Sequence, residues 1–494
     1  MTNAANKQVT LSDYEFGLPK TASVRGGPTT SRSVTWEGWV NSRTTGRNFT
    51  TTIDLDDVGR PLLVTPPGAS EPTRYTYAAD GSTLTETRGA YSKVASLDGL
   101  GRAVATLDSL GVKSSVTFDA MGRTTFKSYP YDDTRGEVGE LSELDGLGRV
   151  ITATQGYRPS RGACDRPGAC QTRIAYKYNC TESWVERGPK DVTETGACFV
   201  SYGSPDEQRL AQVAARTAPG GGWAYWQYAY TAAGQLKGVT APLDQADAQQ
   251  NFDEHQFLRR AVSHESGETV FTPNAIGQPT SRVDARSVAT QYGYEDPLSR
   301  LRTITYPGDP ANDVRLDYDE DSNLSTSASA NGGSYSYGYD ERDRLTSQTW
   351  TIAGHAYITT YHYDPTGCLD SVTYPTGTTL TQTCDAANRV ASLTANGQPI
   401  VGQVTYHPTG QPATFTYGNG VGDRGGHRRS GPGLVHHRGR RDGVDLRLRR
   451  SRERDVAGRP RRGRQRTLHG VRPRRPSSER IRARAVGLGL VRLR

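Results

Sequence analysis

One phrase recurs along this chain at a nearly fixed spacing, and that spacing limits the fold more than any other feature. It reads YEDPLSRL (294–301), YDEDSNL (318–324), YDERDRL (339–345), YDPTGCL (363–369), CDAANRV (384–390) and YHPTGQP (406–412). Measured at the Asp slot, the copies fall at 296, 319, 340, 364, 385 and 407, steps of 23, 21, 24, 21 and 22 residues. A constant period of this size signals a tandem array of one supersecondary unit. An aromatic residue leads into Asp, then two variable residues, then Gly, Asn or Ser, then Arg or Gln and an apolar residue. Asp closes a turn with its own side chain, and Gly or Asn tolerates positive φ. The flanks alternate polar and apolar, as in SYSYGYD (334–340) and ATFTYGN (413–419), which is strand periodicity. About 21 residues supply two strands of roughly seven residues, each about 23 Å long, and two turns. The second turn shows mid-repeat as YPGD (306–309) and YPTG (374–377). Each repeat therefore reads as a β-hairpin.

The same period extends toward the N-terminus. DDVGR (56–60), DGLGR (98–102), DAMGR (119–123) and DGLGR (145–149) place Asp56, Asp98, Asp119 and Asp145 in the Asp slot. Gly59, Gly101, Gly122 and Gly148 follow as the turn residue, and Arg60, Arg102, Arg123 and Arg149 close each copy. A degenerate copy is expected near 77, in AADGSTL (78–84). Later copies carry Asp296 with Arg300, Asp319, Asp340 with Arg344, Asp364 with Gly367, and Asp385 with Arg389. Further copies sit at YTAAGQL (230–236), FDEHQFL (252–258) and FTPNAIGQP (271–279). The expected fold is all-β: hairpins side by side in one long sheet, which must curl or close to protect its faces.

Five stretches divide the chain: a polar, irregular and partly repeat-like segment over 1–50 anchored by Trp36 and Trp39, repeats over 51–154, a phase-less insertion over 155–225, repeats over 226–421, and a tail over 422–494. The insertion holds Cys164, Cys170, Cys180 and Cys198. It also holds a capping box, Ser204-Pro205-Asp206-Glu207, that predicts one short helix over QRLAQVAAR (208–216). The cysteine spacing lacks the C-x2-C of zinc knuckles, leaving disulfides or buried thiols as the readings. Elsewhere a three-residue loop, Pro375-Thr376-Gly377, would set Cys368 directly opposite Cys384 on one hairpin, where a disulfide can form.

Tyr (26) far outnumbers Phe (9), as suits half-exposed strands whose rings pack while their hydroxyls stay wet. No apolar run approaches the roughly 20 residues of a membrane span, and the first residues show no signal-peptide core. The formal charge of +8 conceals two unlike parts: 422–494 carry 24 Arg, no Lys and 6 acids, whereas 1–421 are net −10. Such a tail reads as disordered. A nucleic-acid arm is the other direct reading, and it rests on this tail alone. A third reading is a frame slip near 421. Reading Arg-rich codons from their second nucleotide permits the Asp phrase at codons 428, 449 and 472, continuing the period from 407.

No cofactor, metal or catalytic site is expected. The P-loop, H-E-x-x-H and G-x-S-x-G patterns are absent from the sequence. The segment Asp317–Asn323 opens like a calcium loop, but Ser322 stands where such a loop needs Gly, and Ala328 stands where it needs Glu. Asp at every turn points to turn chemistry, with the recurrent Arg pairing a neighbouring turn Asp at the surface.

The phrase Y-D-x-x-G-R-L at about 21 residues, together with YGNGV (417–421), resembles the Rhs or YD-repeat family, which includes polymorphic bacterial toxins, toxin-complex subunits and teneurins. The resemblance covers about 56–421, except 155–225. It implies a hairpin ribbon spiralling into a hollow shell, secreted or at the cell surface, which in the toxins encloses a C-terminal effector released by aspartyl self-cleavage. No segment here resembles the family's core-end motif or an effector, so an inner fragment of a larger, non-catalytic shell is expected. The partner implied is that effector. A module whose Tyr-rich faces bind glycans or cell-surface proteins is the alternative.

Overall fold

In the computed structural model the described residues are 8–164, 171–173, 185–187, 191–202, 204–216, 222–242 and 245–424. Among them the chain forms 38 strands and two 3₁₀ turns, with no α-helix. The strands make an antiparallel meander in which each pairs with the next, from Val9–Glu15 against Leu18–Val24 through to Pro412–Tyr417 against Gly422–Arg424. One exception is the two-residue strand Ala163–Cys164, which adds beside Val150–Arg158 while that strand also pairs Gln171–Arg173.

Three expectations are corrected. The ribbon does not wait for residue 51: strands Val9–Glu15, Leu18–Val24, Thr29–Val34 and Val40–Thr44 already belong to it. Trp36 is not a buried anchor but 79% exposed at a turn tip, while the half-buried Trp39 lies under Gly59. The capping box does not start a helix. Ser204–Arg216 is a strand paired on both sides, with Asp191–Tyr202 and with Trp223–Tyr230. Two hydrogen-bonded ladders satisfy that backbone as fully as a helix would, so tertiary context overrides a local cap. The described strands of 155–225 continue the meander. Of the expected tail, only 422–424 are described; the rest, with its disorder and frame-slip readings, lies outside the described residues.

The ribbon has little interior. Val34, Phe126, Cys164 and Cys368 are the buried apolar residues among those described, and no large side chain is fully enclosed. A sheet one layer thick cannot build a conventional core. Backbone ladders and the wiring of the turns carry its order instead.

The ribbon also curls back on itself. The amide of Arg47 donates to Asp321 Oδ1, its Nη1 donates to Asp343 Oδ1 at 2.9 Å and to the Asp340 carbonyl at 3.0 Å, and its Nη2 donates to the Tyr339 carbonyl at 3.1 Å. The Glu71 amide donates to the Pro365 carbonyl at 2.9 Å, and Arg342 Nη1 donates to Ser70 Oγ at 3.2 Å. These partners lie 272 to 296 residues apart. At about 21 residues per hairpin, one circuit takes roughly 13 hairpins. The contact is one-sided: the turns opposite the Asp turns, in the first tier, sit on the Asp turns of the later tier. Gly46 lies so close that a Cβ there would meet the Glu320 carbonyl oxygen at 2.6 Å.

Candidate functional site

The recurring phrase builds one circuit of hydrogen bonds. Around Asp56, Asp98, Asp119, Asp145, Asp340 and Asp385, Oδ1 accepts the amides of the second and fourth residues that follow, at 2.8–3.1 Å. Oδ2 accepts Nε of Arg60, Arg102, Arg123, Arg149, Arg344 and Arg389 at 2.6–2.8 Å. Each Arg therefore pairs with the Asp of its own turn, four residues back. The residue before the Arg slot takes positive φ: Gly59, Gly101, Gly122, Gly148 and Gly367 in glycine copies, and Ser299, Ser322, Asp343 and Asn388 elsewhere. A β-turn closed by a left-handed residue matches the twist of the flanking strands.

Variants of the phrase keep the geometry. Asp296 holds Arg300 through two nitrogens, at 2.9 and 2.7 Å. Asp319 takes the side-chain amide of Asn323 at 3.0 Å. Asp364 accepts the hydroxyl of Thr366 and the amide of Cys368. Burial disfavours charge on Asp296, Asp340 and Asp385, yet the hydrogen bonds from their Arg partners and the turn amides prevail and hold the carboxyls below the usual range. At Asp98 the side-chain and backbone hydrogen bonds from Arg102 are the leading causes and outweigh burial, in the same direction.

The leading tyrosine links one repeat to the one before. Tyr77, Tyr294, Tyr318, Tyr339 and Tyr406 donate their hydroxyls to the carbonyls of Pro61, Pro279, Leu301, Leu324 and Val390, at 2.7–3.3 Å. Each acceptor directly follows the Arg slot of the previous copy. The Arg guanidinium in turn covers the next ring, 4.2 Å from the centroid for Arg60 on Tyr77 and for Arg102 on Phe118, and 4.4 Å for Arg344 on Tyr363 and Arg389 on Tyr406. Such a contact contributes about 0.5–1 kcal/mol at an exposed site.

One link is made differently. In YDPTGCL, Cys368 holds the Arg slot, and in CDAANRV, Cys384 holds the Tyr slot. The register Ser371↔Thr381, Val372↔Leu380 and Thr373↔Thr379 sets the two opposite each other, and they form a disulfide with Cα atoms 6.3 Å apart. A covalent bond stands where neighbouring repeats use a guanidinium on a ring. Cys164 is also disulfide-bonded; the pairing among Cys164, Cys170, Cys180 and Cys198 lies outside the described residues.

Sequence reasoning missed the first copy. Thr35 accepts the Trp39 amide through Oγ1, Gly38 has φ +90, and Thr35 stands 21 residues before Asp56, so TWEGW (35–39) is an Asp turn with Thr in the slot. The period pointed there, but the missing Asp hid it. Arg47 was missed too, since nothing local to it encodes a partner nearly 300 residues away. Among the described residues no cluster of His, Cys, Asp or Glu is placed to hold a metal ion, and no helix is long and apolar enough to cross a membrane. The Asp317–Asn323 segment is an Asp turn, with Asp317 paired to Arg302 instead of lining a loop.

A family model described as RHS Repeat matches residues 318–349. No curated protein matches by sequence. Among solved structures, the crystal structure of TcdB2-TccC3 aligns with TM-score 0.66 at 16% identity, covering 84% of this chain and 27% of that one. The Tc holotoxin pore of Photorhabdus luminescens aligns with TM-score 0.66 at 14% identity over 83% and 28%. The TcdB2-TccC3-Cdc42 structure aligns with TM-score 0.64 at 15% identity over 85% and 31%. The chain thus spans less than a third of the length of these solved chains, and at this identity they establish the fold. The recurring phrase, the RHS Repeat model matched over 318–349 and the hairpin ribbon together support an Rhs/YD-repeat assignment.

Proposed function

We propose that this chain is a non-catalytic section of a shell wall that encloses an effector polypeptide for delivery to another cell, in a secreted or cell-surface protein. The observation that carries the proposal is the return of the ribbon onto itself after roughly 13 hairpins. A one-layer sheet with almost no buried apolar residues is a poor self-contained domain but a good partition. Its repeated carboxylates are each committed to a turn, which leaves them acting as hydrogen-bond hubs and not as acids or bases. One of the structures it resembles is a Tc holotoxin pore, and this supports the reading.

Protease challenge of the gene's full product tests it. A wall keeps its cargo intact under native conditions and yields it to protease once the wall is opened by denaturant. Cargo digested at the same rate before and after opening would refute enclosure.

One feature favours a second reading, glycan binding. Tyr335, Trp350 and Tyr357 lie in register on three adjacent strands, with centroids 5.9 and 5.4 Å apart. Tyr335 and Trp350 stack at 10° and Tyr357 tilts by 34° to Trp350, and an aromatic row of this kind suits sugar stacking. Binding on a glycan array that is lost in Trp350→Ala would favour this reading over a plain wall.

A further inference from the structure

We propose that the seam between the two tiers contains a binding site for a small tetrahedral oxyanion of the phosphate or sulfate class, formed by Arg88, Arg342 and Arg344 around Gly367. Arg88 ends the strand Thr83–Arg88 of the first tier, whereas Arg342 and Arg344 belong to the turn YDERDRL of the later tier. The glycine at 367, with φ +94, leaves open the point where a Cβ would project. The three nearest atoms to that point are Arg88 Nη2 at 3.4 Å, Arg344 Nη1 at 3.6 Å and Arg342 Nη1 at 3.7 Å. Three guanidinium groups thus converge on one spot from two tiers.

Their hydrogen bonding is incomplete. Arg88 Nε, Arg88 Nη2 and Arg344 Nη1 are shielded from water and have no hydrogen-bond partner. Among the described residues neither Arg88 nor Arg342 forms an ion pair with a carboxylate, and Asp340 is engaged by Arg344 Nε at 2.6 Å. Glu71, across the seam, is anchored by its amide to the Pro365 carbonyl. Burial, followed by the charges of Arg88 and Arg344, lowers the pKa of Arg342 and outweighs the opposing charge of Asp340. Repeat wiring explains Arg344, which serves Asp340 and Tyr363. It does not explain Arg88, or Arg342, whose Nη1 also donates to Ser70 Oγ at 3.2 Å across the seam. Buried donors on like charges are costly unless an acceptor with negative charge completes them, and guanidinium forks match the oxygens of a tetrahedral anion.

Because the ligands come from both tiers, the anion would act as a bolt across the seam, and it would bind the folded wall alone. Ligand that binds only the folded state raises thermal stability by mass action. Thermal melts of the full chain in low-millimolar phosphate, against chloride at matched ionic strength, should show a saturable rise in Tm. In Arg88→Gln or Arg342→Gln the half-saturating concentration should be about tenfold higher, as fits loss of one charged hydrogen bond. A second measurement uses the unaltered protein: phosphate should slow phenylglyoxal modification of Arg88 and Arg342, read by peptide mapping, and leave Arg286, 81% exposed, unaffected. A Tm that follows chloride, folded variants that respond like the parent, or equal protection at all three arginines would overturn the site.

Discussion

The turns at Asp98, Asp119 and Asp145 and those at Asp296, Asp340 and Asp385 share one internal circuit yet live in different surroundings. In the first set the tip residues stand in the open: Leu100 is 78% exposed, Met121 75% and Leu147 80%. In the second set Pro297 meets the Gly26–Gly27 turn, Arg342 reaches Ser70, and Asp296 is buried. The fixed letters of the phrase therefore make the turn, while the variable pair between Asp and Gly meets, or fails to meet, the next tier. A ribbon whose turns close on local chemistry can be folded hairpin by hairpin, and stacking is added afterwards by contacts of very long range.

Acid tests what the two sets share, and has the largest expected effect. The turn aspartates of both tiers have carboxyls held below their usual pKa, chiefly through Arg and backbone hydrogen bonds that outweigh burial where burial is present. A depressed folded pKa gives stability that is present above the unfolded value of about 3.9 and is lost as pH falls through the lower folded values. Urea midpoints should hold steady from neutral pH down to about 4 and then drop steeply, because many turns protonate together. A midpoint unchanged at pH 3 would mean that the circuits contribute nothing as ion pairs.

The disulfide tests whether one interrepeat link can be worth more than its neighbours. Closing a loop with a sequence separation of 16 residues, the Cys368–Cys384 bond should contribute about 3 kcal/mol, against about 0.5–1 for an Arg on a ring. The double variant Cys368→Ser, Cys384→Ser should lower the urea midpoint, and reductant should lower the parent to a similar value. Cys368→Arg with Cys384→Tyr restores the ordinary link and should recover a minor part of the loss.

Asp340→Ala and Asp119→Ala separate the two environments directly. Both remove the same three bonds, but Asp340 also leaves Arg344 half-buried beside two other guanidiniums. Loss of charged hydrogen bonds with a cation stranded should cost about 2–3 kcal/mol at Asp340. The cost at Asp119 should be clearly smaller, since water can replace what is lost. Equal losses in chemical denaturation would show that stacking adds nothing to the turns.

Much of this fold was legible because its information is short-range. The period, the Asp circuit, the positive φ at Gly122 or Asn388 and the pairing of Cys368 with Cys384 all follow from residues within one repeat or between adjacent repeats. What was hidden was either chemically disguised or distant. Thr35 replaces the aspartate that signals a turn, so a repeat passed for irregular chain. Ser204–Glu207 offered a sound helix cap, but the strands on either side claimed the backbone. The site around Gly367 draws Arg88 from another tier, and no spacing rule connects 88 to 342.

The free tips give the smallest expected effect and the sharpest control. Met121→Gln exchanges an apolar side chain already 75% in water for a polar one of like length, at a position whose amide still donates to Asp119 Oδ1. Surface changes of this kind stay within about 0.5 kcal/mol. Leu298→Gln, at the corresponding position of a tip whose Pro297 faces Gly26 and Gly27, should cost more, because its side chain is half-buried. If Met121→Gln proved as costly in chemical denaturation as Leu298→Gln, the open row of Val58, Leu100, Met121 and Leu147 would have to be covered in solution. The difference between the two sets of turns would then be one of partner and not of exposure.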